Sequence, residues 1–536
     1  MTKRQVNSIT ILSIVVVILA LMLSNRLWFR LDLSKNKAYT ISAISRRLHE
    51  EIPDEVRITY YISGKLASIH PLPGEIEDLL REYAAYSRGK IRIVLRDPVK
   101  ANLIEEIEQM GILPQQIQTV DQGETSIATV YTGIVIEYLD QAEILPVVFS
   151  LETLEYDLTS RIRSLVSGVE RQTGIIVGDS YRQWNQDYGY LGQALLQAGY
   201  RTRLLAPGEE ISENLPSLVV LGGVEDFDDW ALYRIDRYIQ GGGKVFFAAE
   251  AVFVDSQGGS LEARSMNDRG LLSMLASYGA EVTNRLVLDT AALTLQYQSR
   301  QANGVTQYRI IRYPHWIGVL PQNGNPKNPV TARFSGVDLF WPSPITVNAP
   351  PGIGSEELFA STPEAWLMTN NFVTNPDTAF LFENEAEATR GREVLAVSLS
   401  GVFPSYFRGR DKPQREGSEE ELPALPPRGL SSRIIVVGDT DFLTAMLQFT
   451  RGERNLEFFI QALDWLSSDD EIIGIRNREA LSLRLDRIAD PQRRKAVMNF
   501  AQVLNIVLVP AGLLALAFFL AWRRKKRALS SGITGA

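Results

Sequence analysis

Thr173-Gly174-Ile175-Ile176-Val177-Gly178-Asp179-Ser180 is an apolar run that closes on a glycine, a carboxylate and a hydroxyl. It lacks polar/apolar alternation. A strand of this kind is covered on both faces, which is the situation of a central strand in a parallel sheet. The pattern recurs at Leu218-Val219-Val220-Leu221-Gly222-Gly223, at Lys244-Val245-Phe246-Phe247-Ala248-Ala249 and at Ile434 to Gly438, followed by Asp439-Thr440. Helical periodicity separates these runs. Tyr190–Tyr200 forms one helix with Gly199 as its stop signal, and RTRLLAP follows as a strand. Trp230–Ile239 is the next helix, turned by Gly241-Gly242-Gly243, and Asn455–Trp465 carries Leu456, Phe459, Ile460 and Leu463 on a helical stripe. Alternating strands and helices predict a doubly wound, flavodoxin-like parallel sheet. Residues 169–290 hold its first part and residues 431–475 its final strand and helix.

Between the two parts, residues 291–430 read as an insertion with some β structure, from short runs such as TLQYQS, TQYRIIRY and LFWPSPITV broken by PQNGNPKNP and NAPPGIGS. Within it, residues 408–429 are charged and proline-rich, which predicts a disordered loop.

Upstream, residues 38–150 read as a separate α/β domain. Thr40 or Ser42 caps a short helix in which Ile44 and Leu48 share a face. Val56, Ile58, Tyr60 and Ile62 alternate with polar residues, so this strand buries one face. A helix from Gly74 to Tyr86 and the strand IRIVLRDP complete a β-α-β unit, whose crossover implies parallel strands. Ala101–Gly111 reads as a helix, Ala128–Tyr131 and Ile134–Tyr138 as a hairpin, and Glu143–Val148 as a further strand. The expectation is a thioredoxin-like domain without redox activity, because the chain has no cysteine. Residues 151–168 predict an amphipathic linker helix.

The two ends of the chain are apolar. VMNFAQVLNIVLVPAGLLALAFFLAW, residues 497–522, has no charge and is followed by Arg523-Arg524-Lys525-Lys526-Arg527. About 20 apolar residues span a bilayer core, and the basic block places residues 523–536 in the cytoplasm by the positive-inside rule. Pro510 predicts a kink, and Gln502 and Asn505 offer amides to a partner helix within the membrane. Residues 9–29 read as a first span, an uncleaved anchor rather than a removed signal peptide, since no small-x-small site follows it. Residues 1–8 then form a cytoplasmic tail and residues 476–496 a juxtamembrane segment. The expected location is a bacterial inner membrane, with both termini cytoplasmic and the bulk of the chain periplasmic.

Net charge is −8 and no basic tract lies outside the membrane flanks, so nucleic acid is not an expected partner. The best ligand-site candidate is the pair of strand-end turns, Asp179-Ser180 and Asp439-Thr440-Asp441. Ligands of parallel sheets bind beyond the carboxyl ends of the strands. Two carboxylates there can hold a cation, a sugar hydroxyl or an amine. The competing reading is that each Asp, Ser or Thr caps the turn that follows it. Gly222-Gly223 and Gly241–Gly243 lack the Lys-Ser/Thr of a phosphate loop and read as turns. His49, His70 and His315 are scattered, and His315 in RYPHWIG reads as a packing residue. Neither Gly-x-Ser-x-Gly nor HExxH occurs. Glu383, Glu385 and Glu387 read as solvated. No catalytic residue, cofactor or metal is expected.

Several stretches together resemble the family of GldG, the gliding-motility auxiliary protein of an ABC transporter, and its wider auxiliary-transport relatives. They are RLDLSKNKAYTIS, KIRIVLRDP, GIVIEYLDQAEILPV, EYDLTSRIRSL, VVGDTDFL, FFIQALDWLSSDDEIIGIR and Asp490-Pro491-Gln492-Arg493-Arg494, in that order. The resemblance implies a companion ATPase and permease, an unknown cargo, and a role in export or surface motility. The middle sheet also resembles the class I glutamine-amidotransferase fold, whose nucleophilic cysteine is absent here. The expected function is a membrane-anchored, non-enzymatic auxiliary component of an ABC transporter. The rival is an envelope carbohydrate-binding protein or hydrolase using the Asp179/Asp439 crevice.

Overall fold

The computed structural model describes residues 41–467 apart from 122–123, 150, 152, 169–170, 257–260, 301–305, 378–388, 416–420 and 451, together with Phe519 and Trp522. The chain divides into two units, Thr40–Arg478 and a second made of Met1–Tyr39 with Glu479–Ala536. In the second unit only Phe519 and Trp522 are described, both helical, with ring centroids 6.3 Å apart. The expected spans 9–29 and 497–522, with Gln502, Asn505 and Pro510, otherwise lie outside the described residues. No described helix is long and apolar enough to cross a membrane.

The first part of the larger unit begins with helix α1 (Ala43–Glu51). Ser42 caps it, its hydroxyl accepting from the Ser45 N–H at 3.0 Å. A four-stranded sheet follows, built from β1 (Val56–Ile62), β2 (Ile91–Arg96), β3 (Thr132–Tyr138) and β4 (Gln141–Leu145) in the order β2-β1-β3-β4. The β1–β2 pair is parallel and bridged by helix α2 (Leu72–Ala85); the other pairs are antiparallel. Ala128–Tyr131 does not pair with Ile134–Tyr138 as the sequence suggests. Strand Glu124–Val130 instead pairs with Gln115–Asp121 in a separate hairpin. Helix α3 (Leu154–Ser167) lies where the amphipathic linker helix is expected, and its apolar face packs on this sheet. Its Leu154, Leu158, Ile162 and Leu165 join Val56, Ile58, Ile134 and Ile136 in one core.

The second part centres on a seven-stranded sheet. Its parallel strands are β5 (Gln172–Val177), β6 (Arg201–Leu204), β7 (Leu218–Leu221), β8 (Val245–Ala248) and, after a long intervening stretch, β11 (Ser432–Val437). The stretch between supplies β9 (Ile353–Ala360) and β10 (Val394–Gly401). The order across the sheet is β9-β10-β11-β8-β7-β5-β6. β10 pairs antiparallel to β11 and β9 antiparallel to β10. These two strands belong to the sheet and not to an appended insertion. The serine-containing VLAVSLSG pattern does not disclose a partner that lies some forty residues on.

Alternate strand residues enter opposite cores, as the period of two requires. Leu218, Val220, Val245, Phe247, Ile434 and Val436 meet helices α5 (Asp229–Gln240) and α6 (Leu271–Tyr278). Val219, Leu221, Phe246, Ala248, Ile435 and Val437 meet α4 (Gly189–Gln197) and α7 (Glu453–Ser467). Each such valine, leucine, isoleucine or phenylalanine side chain, fully buried, contributes roughly 1.5–3 kcal/mol. The segment expected to be a disordered loop is packed where it is described. Leu422 is buried, and the Pro423 carbonyl accepts from the Tyr233 hydroxyl at 2.8 Å. Its leucines cover α5, an apolar contribution that charge and proline content conceal.

Candidate functional site

The parallel strands β5, β7, β8 and β11 all end at one edge of the sheet, and each places a polar group there. β5 ends in Gly178-Asp179, β7 in Gly222-Gly223, β8 in Ala249-Glu250 and β11 in Gly438-Asp439. The structure brings together Asp179, Thr440 and Asp441 through a residue that sequence reasoning overlooked, Arg182. Its guanidinium lies 3.5 Å from Asp179 Oδ2, donates to Asp441 Oδ1 at 2.8 Å and to Thr440 Oγ1 at 3.4 Å. A second overlooked residue is Glu250, whose Oε2 accepts from the Thr440 N–H at 3.2 Å. Its signal was available: an acid directly after an apolar strand repeats the pattern of Asp179 and Asp439.

Asp439 is a cap. Its Oδ1 accepts from the N–H groups of Asp441 at 2.6 Å and Phe442 at 3.2 Å, at the start of a 3-10 turn spanning Asp441–Leu443. Its Oδ2 accepts from the Phe340 N–H at 2.6 Å. Asp179 Oδ1 accepts from the Gly223 N–H at 2.8 Å. Ser180 stands apart on the surface, its N–H donating to Asp226 Oδ2 at 2.9 Å. The strand-end turns approach one another closely here. Gly222 has φ +72°, and a Cβ there would lie 2.1 Å from Asp179 Oδ2; at Gly438 a Cβ would lie 2.0 Å from the Ser343 carbonyl oxygen. Only glycine admits these close approaches.

Asp179, Glu250, Asp439 and Asp441 thus bury their carboxyls around one guanidinium. Burial, and then repulsion from Asp441, push Glu250 and Asp439 well above the usual carboxylate range. Burial also raises Asp179, against the pull of Arg182. For Arg182 burial works downward, but Asp441 foremost, then Tyr188, Tyr181 and Asp179, overcome it and hold the guanidinium well above its usual value. One oxygen from each of Glu250, Asp439 and Asp441 lies within 4.8 Å of the others, a spacing a cation can use. Both oxygens of Asp439 already accept N–H groups, however, and Asp441 holds Arg182, whose own charge opposes a cation. The arrangement fits carboxyls that share protons and brace the strand ends.

The histidines are remote from this cluster in sequence and sit in packed surroundings or outside them. His49 stands edge-on to Tyr83 at 4.5 Å, and burial lowers its pKa to about 4. His315 stacks on Tyr313 at 4.6 Å, and burial lowers it to about 3. His70 is exposed and accepts from the Leu72 N–H at 3.1 Å. Glu383, Glu385 and Glu387 lie outside the described residues.

The chain belongs to the ABC-type uncharacterized transport system family of auxiliary components (ABC_transp_aux), whose profile matches residues 170–462. A domain of unknown function (DUF7088) matches residues 35–137. The chain is similar to an uncharacterised protein of Borreliella burgdorferi, 23% identical over 516 residues covering 93% of this chain and 94% of that protein. Among solved structures it is similar to the mmIFT52 N-terminal domain (13% identity, TM-score 0.31, covering 56% of this chain and 98% of that one). It is also similar to a putative ThuA-like protein from Parabacteroides merdae (12% identity, TM-score 0.27, covering 56% and 90%). The protein is an auxiliary component of an ABC-type transport system.

Proposed function

We propose that the chain is a membrane-anchored, extracytoplasmic scaffold or substrate-handling component that works beside an ABC permease and ATPase, GldG-like, in export or gliding motility. Residues 9–29 and 497–522 anchor it in a bacterial inner membrane, with both termini cytoplasmic and the folded body periplasmic. The body combines a thioredoxin-like part with an amidotransferase-like, doubly wound part; the parallel order β6-β5-β7-β8-β11 supports the second reading. The chain acts without catalysing a reaction. The observation that carries this is the use of the strand-end acids: both Asp439 oxygens accept backbone N–H groups, and Asp179 and Asp441 hold Arg182. The Asp179/Asp439 hydrolase reading needs carboxylates turned toward an open crevice.

Gln502 and Asn505 hydrogen-bond to permease helices within the membrane, a contact worth about 1 kcal/mol. Co-purification from mild detergent tests this reading. The chain is expected to carry a permease and an ATPase with it, and recovery is expected to fall for Gln502→Leu with Asn505→Leu. A chain purified alone from its native membrane, with the permease and ATPase of its own system in the unbound fraction, contradicts the assignment. Protease added outside intact spheroplasts is expected to cut the body; complete resistance contradicts the topology.

A further inference from the structure

Helix α3 is tied to the first helix of the larger unit, and the turn after α4 is tied to α7. At the first of these contacts, the Ser42 N–H and the Ser45 hydroxyl each donate to Glu155 Oε1 at 2.6 Å, and the hydroxyls of Ser45 and Thr159 lie 3.0 Å apart. Glu155 and Thr159 sit in the first turns of α3. At the second, Ser467 Oγ lies 3.0 Å from the Tyr200 hydroxyl, which donates to Asp464 Oδ1 at 2.6 Å. Arg171 pairs with the same Asp464 and donates to the Ala198 carbonyl at 2.9 Å.

Arg161, in the middle of α3, closes the connection. It is 1% exposed and makes no ion pair among the described residues. Its guanidinium donates at 3.4 Å to three carbonyls: Ile144 in β4 of the first part, and Gln197 and Ala198 at the C-terminus of α4 in the second. Buried guanidinium groups are costly unless their donors are placed. A helix C-terminus offers unpaired carbonyls and the negative end of its dipole. Gly199 admits the contact. Its φ is +77°, and a Cβ there would press to 3.2 Å from the Arg161 guanidinium.

We propose that α3 is a rigid strut and Arg161 its lock, so that the two α/β parts move as one body. Displacement applied to the first part is then delivered to the second instead of being lost at a hinge. Parts joined by a single connection move independently by default unless their contact fixes them. An arginine whose donors reach both parts at once supplies that contact with one orientation. The inference concerns the body alone and stands or falls apart from the transport role.

The chain has no cysteine, so two can be introduced without removing any. Spin labels at Ile69→Cys in the first part and Leu430→Cys in the second, sites 47% and 60% exposed, report the distance between the parts in the full chain in detergent. The parent is expected to show one narrow distance distribution. Arg161→Met, which keeps the length of the side chain and removes its donors, is expected to widen it by about twofold, as for domains released from a fixed contact. Gly199→Ala, which leaves the guanidinium and displaces the carbonyls, is expected to widen it as well. Both variants are expected to keep the parent's far-ultraviolet circular dichroism. A distribution as narrow as the parent's in either folded variant overturns the lock. Loss of the fold in Arg161→Met overturns it too, because a lock predicts two intact parts that come loose.

Discussion

The two ends of the large sheet bury opposite kinds of ionisable group, acids at one and arginines at the other. At the carboxyl ends of the strands, four acids surround Arg182; at the amino ends, Arg161 and Arg171 are both buried or nearly so, and the carboxylate of Asp464 pairs with Arg171. The acids are met by N–H groups, those of Gly223, Phe340, Thr440, Asp441 and Phe442. The arginines are met by C=O groups, those of Ile144, Gln197 and Ala198. Winding explains the asymmetry. After each parallel strand the chain starts a helix or turn whose first N–H groups are unpaired, and before the next strand it ends a helix whose last C=O groups are unpaired. An α/β sheet therefore presents donors at one end and acceptors at the other. This chain fills the donor end with acids and the acceptor end with arginines; the donor end is the edge at which open α/β sheets in general bind ligands.

Substitutions at either end should break that arrangement. Arg171→Met strands the Asp464 carboxylate and is expected to lower stability by about 3 kcal/mol, the scale for halving a buried ion pair. Denaturant unfolding reads it, and adding Asp464→Asn is expected to restore part of the loss. At the carboxyl end, Asp439→Asn keeps the side-chain shape but turns one acceptor into a donor facing an N–H. A loss of roughly 1–3 kcal/mol is expected, and a midpoint equal to the parent's would mean that the cap is not made.

Acid provides a third contrast. His49 has a folded pKa of about 4 against an ordinary 6.5. The unfolded chain takes up its proton first, so this residue removes stability as pH falls through that window. The raised carboxyls of Glu250 and Asp439 act in the opposite sense, adding stability in acid and losing it as pH rises. Comparing His49→Phe with the parent cancels the carboxyls. Between pH 6 and pH 5 the variant's unfolding free energy is expected to fall less steeply, by up to about 1.4 kcal/mol per pH unit. Parallel slopes would place the imidazole in water. The smallest effect is at the helix cap: Ser42→Ala is expected to cost about 1 kcal/mol, read as a lower melting temperature of the first part.

The strands at β5, β7, β8 and β11 were legible in sequence because each is apolar on both faces and ends on a turn residue. The cap at Ser42 was legible for the same local reason. What sequence hid was non-local. β10 carries Ser398 and Ser400 within an alternating run, and nothing nearby says that Val397 will face Val436 across a sheet. Leu422 sits among prolines and acids, and only α5 reveals why it is buried. Of the candidate site, the acids Asp179, Asp439 and Asp441 were visible as strand-end punctuation. Arg182 was not, since a lone cation after an acid looks like any surface residue until the second acid arrives from a strand far along the chain. Arg161 left a trace, a charge one position from the apolar stripe of Leu158, Ile162 and Leu165, but two of its acceptors lie at the end of a helix some thirty-five residues later and the third on an earlier strand.

Equilibrium unfolding of Arg182→Met in the full chain, with and without Asp441→Asn, most directly decides whether the strand-end cluster braces the fold. The single variant is expected to lose about 3–5 kcal/mol and the added Asn to return part of it, since removing one partner leaves buried charge unpaired. An Arg182→Met chain as stable as its parent would contradict the bracing role and reopen the crevice as a place for a ligand.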